Sequence, residues 1–215
     1  MAEGRSAVIR RLEPMRLRRD TGRRPKDRMP PPQAPPLSNA RIAVVALLVA
    51  ETMFFSGLIG AYLIFRLGTA VWPPPNLPRL PLAVTWLNTI ALMASGVTML
   101  GALRAARRGD GRGLQRGLAV TAVLGLVFLA VQGSEWVRLV HHGLTLSAGT
   151  YGATFYTLIG THAAHVLGAV VWLGLVWHWA RRGDATGSFG ALEACTIYWL
   201  FVCALWLVLF ALVYQ

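Results

Sequence analysis

Acidic residues are scarce in this 215-residue chain, with nine aspartates and glutamates against 21 lysines and arginines and a net charge of +12. Eleven of the 21 basic residues lie in the first 41 positions, and seven more lie at 104–116 and 181–182, between apolar runs. The other three, Arg66, Arg79 and Arg138, lie at the connections between the first and second runs and between the third and fourth runs. This asymmetry follows the positive-inside rule of membrane proteins. It accounts for the charge, so we expect no nucleic-acid partner.

Cysteine and the common catalytic motifs are also nearly missing. Cys195 and Cys203 form no Cys-x-x-Cys pair, and we interpret both as small apolar core residues. A haem held between two helices needs ligands from both, yet every histidine lies on the fourth apolar run or in the loop before it. Serine-hydrolase, zinc-protease and phosphate-loop motifs do not occur. We therefore expect no catalytic residue and no metal site in this chain.

Long apolar runs dominate the sequence, which is 55% hydrophobic with a mean hydropathy of +0.51. Five of them reach the roughly 20 residues that a bilayer crossing requires, at about 42–65, 82–103, 118–139, 152–179 and 191–214. We predict an all-α polytopic membrane protein with five transmembrane helices, its N-terminus inside and its C-terminus outside. Residues 1–39, basic and proline-rich, are predicted to be a disordered tail before a transmembrane domain at 40–215.

The fourth run combines small and polar residues. Gly160, Ala164 and Gly168 repeat every four residues, a stripe that allows another helix to come close. His162 and His165 are three apart and are expected on neighbouring ridges of one helix face. Because lipid offers no water to such groups, we predict that this face packs against protein, a polar lipid group or a cavity.

Three carboxylates fall within the apolar runs. Glu51 would lie deep in the bilayer, at a cost of about 2.5–3.5 kcal/mol if charged and unpaired. It is either a neutral carboxyl bonded to a partner subunit or a proton-handling group. Glu135 is expected to form an i,i+3 ion pair with Arg138, with a polar link to another helix as the alternative. Glu193 is expected in the first turn of the fifth helix, where the helix dipole favours a negative charge.

Nine short motifs follow one another along the apolar region. They are ETMFFSG (51–57), WPP (72–74), LNT (87–89), ASGV (94–97), QGSE (132–135), YGATF (151–155), GTHAAHV (160–166), FGALE (189–193) and YW (198–199). Each is weak alone, but their order and spacing resemble subunit III of the haem–copper oxidases. The resemblance is to the five-helix bacterial form, which lacks the first two helices of the longer version, and it leaves out the N-terminal 40 residues.

The resemblance implies a non-catalytic subunit of a cytochrome c oxidase in the bacterial inner (plasma) membrane. Such a subunit packs beside catalytic subunit I, with subunit II in the same complex and the haem and copper in these partners. It holds phospholipid and supports proton uptake during oxygen reduction in aerobic electron transport. It also implies a two-helix group at 42–103 and a three-helix group at 117–214.

The resemblance also assigns expected roles to residues of this chain. Glu51 would be the buried carboxyl that faces the catalytic subunit. Lipid contacts are expected at Arg66 and Trp86. Structural polar contacts are expected at seven positions: Gln132, Glu135, His162, His165, Glu193, Tyr198 and Trp199.

The sequence departs from the family pattern in the fifth helix. Leu200 and Cys203 stand where the family usually has a histidine and an aspartate. This apolar replacement leaves open a subunit III-like accessory protein of a nitric oxide reductase or a quinol oxidase. The glutamate and histidines within the apolar runs leave open a second alternative, a small proton-coupled transporter that uses Glu51 and the fourth helix.

Overall fold

The computed structural model describes residues 39–72, 74, 82–182 and 185–214. Five α-helices follow one another in this part of the chain, which contains no strand: α1 Asn39–Leu67, α2 Leu82–Arg107, α3 Gly111–His141, α4 Thr150–Arg182 and α5 Ala185–Val213. All five are long and apolar enough to cross a membrane. The predicted all-α class and the number and order of the spans are thus confirmed. The predicted tail lies outside the described residues, except for Asn39, which begins α1.

The ends of the helices do not coincide with the ends of the apolar runs, and at the start of α3 local capping sets the boundary. At the start of α3, the Asp110 carboxylate accepts a hydrogen bond from the Gly113 main-chain N–H at 2.9 Å. This N-cap satisfies a donor that the first helical turn leaves unpaired, so α3 begins at Gly111, well before the apolar run. Gly109 adopts a φ of 74° in the short turn before it, which lets the chain reverse tightly from α2.

The short turn makes α2 and α3 antiparallel neighbours, as the length of the basic loop predicts. Their backbones approach closely at Gly117, where an added Cβ would lie 2.7 Å from the Ala102 Cβ. The fifth helix lies against α1, α2 and α4, and α3 also packs on α4. The largest fully buried side chains, Trp199 and Trp206, both come from α5. The core of the bundle is therefore built around this helix.

The first helix contacts α4 and α5, and within the described residues it does not contact α2. The two-helix group at 42–103 and the three-helix group at 117–214 stay a prediction about the assembled protein, because the contacts within this chain do not display that division. Exposed apolar side chains, among them Val49, Met53 and Ile64, cover the outer side of α1.

Candidate functional site

The mid-membrane carboxylate of α1 is paired with a histidine of α4. Glu51 Oε2 lies 2.9 Å from His165 Nε2, and the two side chains are 17% and 20% exposed. His165 Nδ1 lies 2.7 Å from the Thr161 main-chain oxygen, which can only accept, so Nδ1 carries a hydrogen. Nε2 then either accepts a proton from the Glu51 carboxyl or, as imidazolium, donates one to the carboxylate. The pair can thus hold one proton between two helices.

Aromatic rings surround this pair on the α1 side. The Phe55 ring meets the His165 ring edge-on, with centroids 5.1 Å apart, and the Phe54 ring lies at 6.3 Å. Phe55 is buried, whereas Phe54 is 49% exposed. These apolar neighbours lower the local dielectric constant and so strengthen the interaction between Glu51 and His165.

The other histidine of the motif has a different environment. His162 is completely buried, and its ring stacks on that of Trp206 with centroids 5.2 Å apart. The Phe128 ring of α3 stands perpendicular to it at 6.3 Å. Neither ring nitrogen of His162 has a hydrogen-bond partner among the described residues. The three-residue spacing therefore turns His165 toward α1 and His162 toward α3 and α5.

The small-residue stripe of α4 does not receive a helix from the described part of this chain. Ala164 is exposed, and a Cβ added at Gly168 would meet nothing within 4 Å. At Gly160 the neighbour is the distal ring edge of Trp136, 3.5 Å from an added Cβ. Gly160 and Ala164 of the stripe line an open groove between α3 and α4, and close packing at the stripe stays a prediction.

The expectation for Glu193 is wrong. The fifth helix begins at Ala185, so Glu193 lies beyond its first turn and does not meet the free N–H groups there. Instead, Arg41 of α1 donates from Nε and Nη2 to the two Glu193 oxygens at 2.9 and 2.7 Å. Arg107 of α2 approaches the same carboxylate at 3.3 Å. Glu193 therefore links three helices electrostatically.

Arg41 and Arg107 are the functional residues that sequence reasoning missed, since their charge appeared there as topology alone. A signal was available. Glu193 lies within an apolar run, and a carboxylate placed there needs a partner such as a cation. Arginines at the N-terminal end of α1 and the C-terminal end of α2 were the candidates, since these ends flank the start of the fifth apolar run.

Two polar contacts lie in the C-terminal half of α3. Glu135 pairs with Arg138 at 2.9 Å, as predicted from their spacing, and does not link to another helix within the described residues. One turn earlier, the Gln132 amide donates to the Tyr214 hydroxyl at 3.1 Å. The latter bond connects α3 with the C-terminal end of α5.

Tryptophans of α5 anchor it to α2 through hydroxyl groups. Trp199 Nε1 donates to Ser95 Oγ at 3.0 Å, and Trp206 Nε1 donates to Thr89 Oγ1 at 2.9 Å. Both bonds are buried, and indole N–H groups buried in lipid need such partners. Tyr198 instead packs its ring between Trp172 and Phe201.

The two residues that depart from the family pattern pack in the same α2–α5 seam. Leu200 Cδ2 and Cys203 Sγ would lie 3.6 and 3.7 Å from a Cβ added at Gly96. Cys195 and Cys203 are both buried free thiols, which confirms their prediction as core residues. Since Glu193 bonds to arginines and His165 to Glu51, neither of these polar groups needs the missing histidine or aspartate.

The predicted lipid-contact residues lie on α1 and α2. The Arg66 guanidinium donates to the main-chain oxygen of Leu212, which also accepts from the Tyr62 hydroxyl at 3.2 Å. The Trp86 ring is 50% exposed and packs edge-on against Phe210, with centroids 4.8 Å apart. Both side chains reach the surface of the bundle, where lipid would contact them.

No cluster of three or more histidine, cysteine or acidic side chains that could hold a metal occurs within residues 39–72, 74, 82–182 and 185–214. Among the described polar contacts, the Glu51–His165 pair joins a carboxyl group to an imidazole across two helices. The other polar groups form hydrogen bonds or ion pairs between helices.

Comparison with known proteins supports the motif analysis. A family model described as "Cytochrome c oxidase subunit III" matches residues 37–215. Cytochrome c oxidase subunit 3 of Synechocystis is 39% identical over 174 residues, which cover 80% of this chain and 73% of the relative. The protein of that name from Corynebacterium diphtheriae is 33% identical, covering 80% and 86%. The one from Oryctolagus cuniculus is 32% identical, covering 81% and 68%.

Proposed function

Because this chain belongs to the cytochrome c oxidase subunit III family, we propose that it is the non-catalytic third subunit of a proton-pumping haem–copper terminal oxidase. Family membership makes it part of a multi-subunit oxidoreductase complex in a membrane. In the proposal, haem and copper belong to subunits I and II, and the complex reduces oxygen to water in a bacterial plasma membrane. The N-terminus of this subunit is inside and its C-terminus outside.

One observation carries the proposed role, namely the Glu51–His165 pair in the seam between α1 and α4. A partly exposed carboxylate within an apolar span is costly unless protein covers it. The neighbouring outer face of α1 is apolar and exposed, with Met53 72% and Phe54 49% accessible. Catalytic subunit I covers this face in our proposal, and its binding completes the burial of Glu51.

The pair then has a mechanistic role beside the catalytic subunit. It holds one proton between Oε2 of Glu51 and Nε2 of His165. The bond from His165 Nδ1 to Thr161 fixes the ring so that Nε2 keeps facing α1. A protonatable pair held in this way keeps the partner's proton-uptake groups in one arrangement over many turnovers. In this proposal the subunit prolongs the activity of the complex, and electron transfer takes place in the other subunits.

We also propose that this chain binds phospholipid at Arg66 and Trp86. Trp86 is half exposed on α2, and interfacial tryptophans favour the headgroup region. Arg66 lies in the last turn of α1 with a guanidinium that has more donors than its bond to Leu212 uses. A headgroup phosphate would satisfy the remaining donors.

Gentle detergent purification of the native complex through an affinity tag on this chain tests the proposal. We expect haem absorption bands, copper by elemental analysis, and a large multi-helix partner by mass spectrometry. Haem without copper would overturn the oxidase assignment in favour of a nitric oxide reductase accessory protein. A colourless, monodisperse chain that purifies alone would contradict any subunit role and favour the transporter.

A further inference from the structure

Helix α1 rests on the bundle along one narrow line of side chains. Among its described residues, Val44, Phe55 and Tyr62 are buried, at intervals of eleven and seven residues. Because a helix repeats about every 3.6 residues, both intervals return nearly to the same side of α1. Partly buried side chains such as Leu58 and Ile59 border this line. The helix is therefore fully buried along one line only, where it contacts α4 and α5.

Open grooves run along both sides of this line. The groove between α1 and α4 has a volume of about 250 Å³, and Leu58 and Leu158 are among its lining residues. The groove between α1 and α5 has a volume of about 280 Å³, and Ile59 and Leu205 are among its lining residues. The side chains that border the grooves therefore do not interlock with the neighbouring helices as they would in a close-packed core. Apolar packing alone leaves α1 with room to roll about its axis.

A small roll of α1 would separate Glu51 from His165. An α-helix with its side chains has a radius of about 5–6 Å, so a roll of about 20° moves the end of a side chain by about 2 Å. Glu51 Oε2 and His165 Nε2 lie 2.9 Å apart, and a hydrogen bond lengthened by that amount is lost. The pair therefore depends on contacts that fix the rotation of α1.

Polar contacts with α5 hold α1 near both of its ends. Near the N-terminal end, the Arg41 guanidinium donates to the two oxygens of Glu193 at 2.9 and 2.7 Å. Near the C-terminal end, the Tyr62 hydroxyl and the Arg66 guanidinium donate to the same main-chain oxygen, that of Leu212. These bonds are directional, and the bidentate bond of Arg41 has the strictest geometry. They fix the orientation of α1 where apolar packing does not.

Glu51 lies midway between these end contacts, ten residues after Arg41 and eleven before Tyr62. Each of the two is thus about 15 Å along α1 from Glu51, beyond direct contact. A helix bonded to its neighbour at both ends cannot roll without breaking one of the bonds. We propose that Arg41 and Tyr62 are positioning residues, which fix the rotation of α1 on α5 and thereby hold the Glu51 carboxyl group against His165. This inference rests on the proposed function, in which the pair sustains turnover.

Infrared spectroscopy of the assembled, purified complex tests this positioning. The difference between the spectra of the wild type and of Glu51→Gln identifies the carboxyl band of Glu51. We expect this band to shift in both Arg41→Gln and Tyr62→Phe. It should not shift in Arg107→Gln, the matched control, because Arg107 approaches the same Glu193 carboxylate from α2, at 3.3 Å, and its loss leaves the bond to α1 in place. An unmoved band in either of the first two variants, or an equal shift in the control, would overturn the proposal.

Turnover counts on the same variants separate this inference from the proposed function. A shifted Glu51 band with a wild-type catalytic lifetime would support the positioning and contradict the role of the pair in turnover. A shortened lifetime with an unmoved band would overturn the positioning and leave the proposed function standing. Should Arg41→Gln fail to assemble, Tyr62→Phe decides, since phenylalanine keeps the ring that packs edge-on against Trp72, with centroids 5.9 Å apart.

Discussion

Glu51 Oε2 and His165 Nε2 lie 2.9 Å apart across the seam between α1 and α4. This contact connects residues that are distant in sequence, and it places a protonatable pair beside an apolar helix face that the chain itself leaves exposed. A carboxylate and an imidazole in this arrangement differ from the other ion pairs of the bundle, since either partner can be neutral.

Glu51→Gln should leave assembly largely intact but shorten the catalytic lifetime of the complex several-fold. Glutamine has the same shape and still bonds to His165, but it cannot take up a proton. The measurement is oxygen consumption by the purified complex, followed until activity decays, with the number of turnovers as the readout. Glu135→Gln is the matched control, because Glu135 is a carboxylate that also pairs with a basic side chain, Arg138, but within its own helix. An assembled Glu51→Gln complex with wild-type lifetime would contradict the role.

The arginine cluster at Glu193 should show unequal contributions. Arg41 approaches both carboxylate oxygens at 2.7–2.9 Å, whereas Arg107 reaches one of them at 3.3 Å and is 57% exposed. Arg41→Gln should therefore lower the melting temperature of the purified protein more than Arg107→Gln, and high salt should reduce the difference. Arg108→Gln, in the exposed turn after α2, should have no effect. Equal losses for Arg41→Gln and Arg107→Gln would show that the bidentate geometry does not matter.

The distribution of positive charge predicts the orientation in the membrane, and thiol labelling can test it. Both native cysteines are buried, so background labelling should be low. Ser147→Cys lies in the exposed loop before α4. A membrane-impermeant maleimide should label it in intact cells after the envelope outside the plasma membrane has been permeabilised. Arg108→Cys, in the loop after α2, should be labelled after lysis only. The reverse pattern would contradict an inside N-terminus.

The sequence predicted the number and order of the helices because lipid imposes one requirement, a run of about 20 apolar residues. The family resemblance also pointed to residues that bond between helices, as Gln132 and Trp199 illustrate. The ends of the helices were less accessible. Asp110 starts α3 by capping, which a hydropathy profile does not register.

Pairings between helices could not be derived from the sequence. Glu51, His165 and Glu193 were each identified, but their partners depend on how far each helix is rotated about its axis. The Arg41–Glu193 bond spans 152 residues, and no local spacing rule reaches that distance. The first-turn interpretation of Glu193 was wrong because the glycines and polar residues at 183–188 look like a loop, whereas α5 already begins at Ala185.

Gly125 of α3, which packs against the Trp199 side chain of α5, allows a direct test of this contact. A Cβ at Gly125 would lie 2.6 Å from Trp199 Cη2 and 3.1 Å from Val170 Cγ2, and Trp199 cannot retreat because its indole N–H is bonded to Ser95. Gly125→Ala should therefore destabilise the protein by about 1–3 kcal/mol, the usual cost of overpacking a core. Gly168→Ala is the matched control in a neighbouring helix, where the added methyl group meets nothing within 4 Å. The control should be neutral or slightly stabilising, since alanine favours a helix by up to about 1 kcal/mol over glycine. Thermal unfolding of both variants in the same detergent gives the comparison, and equal stability of the two would mean that α3 and α5 are farther apart than described.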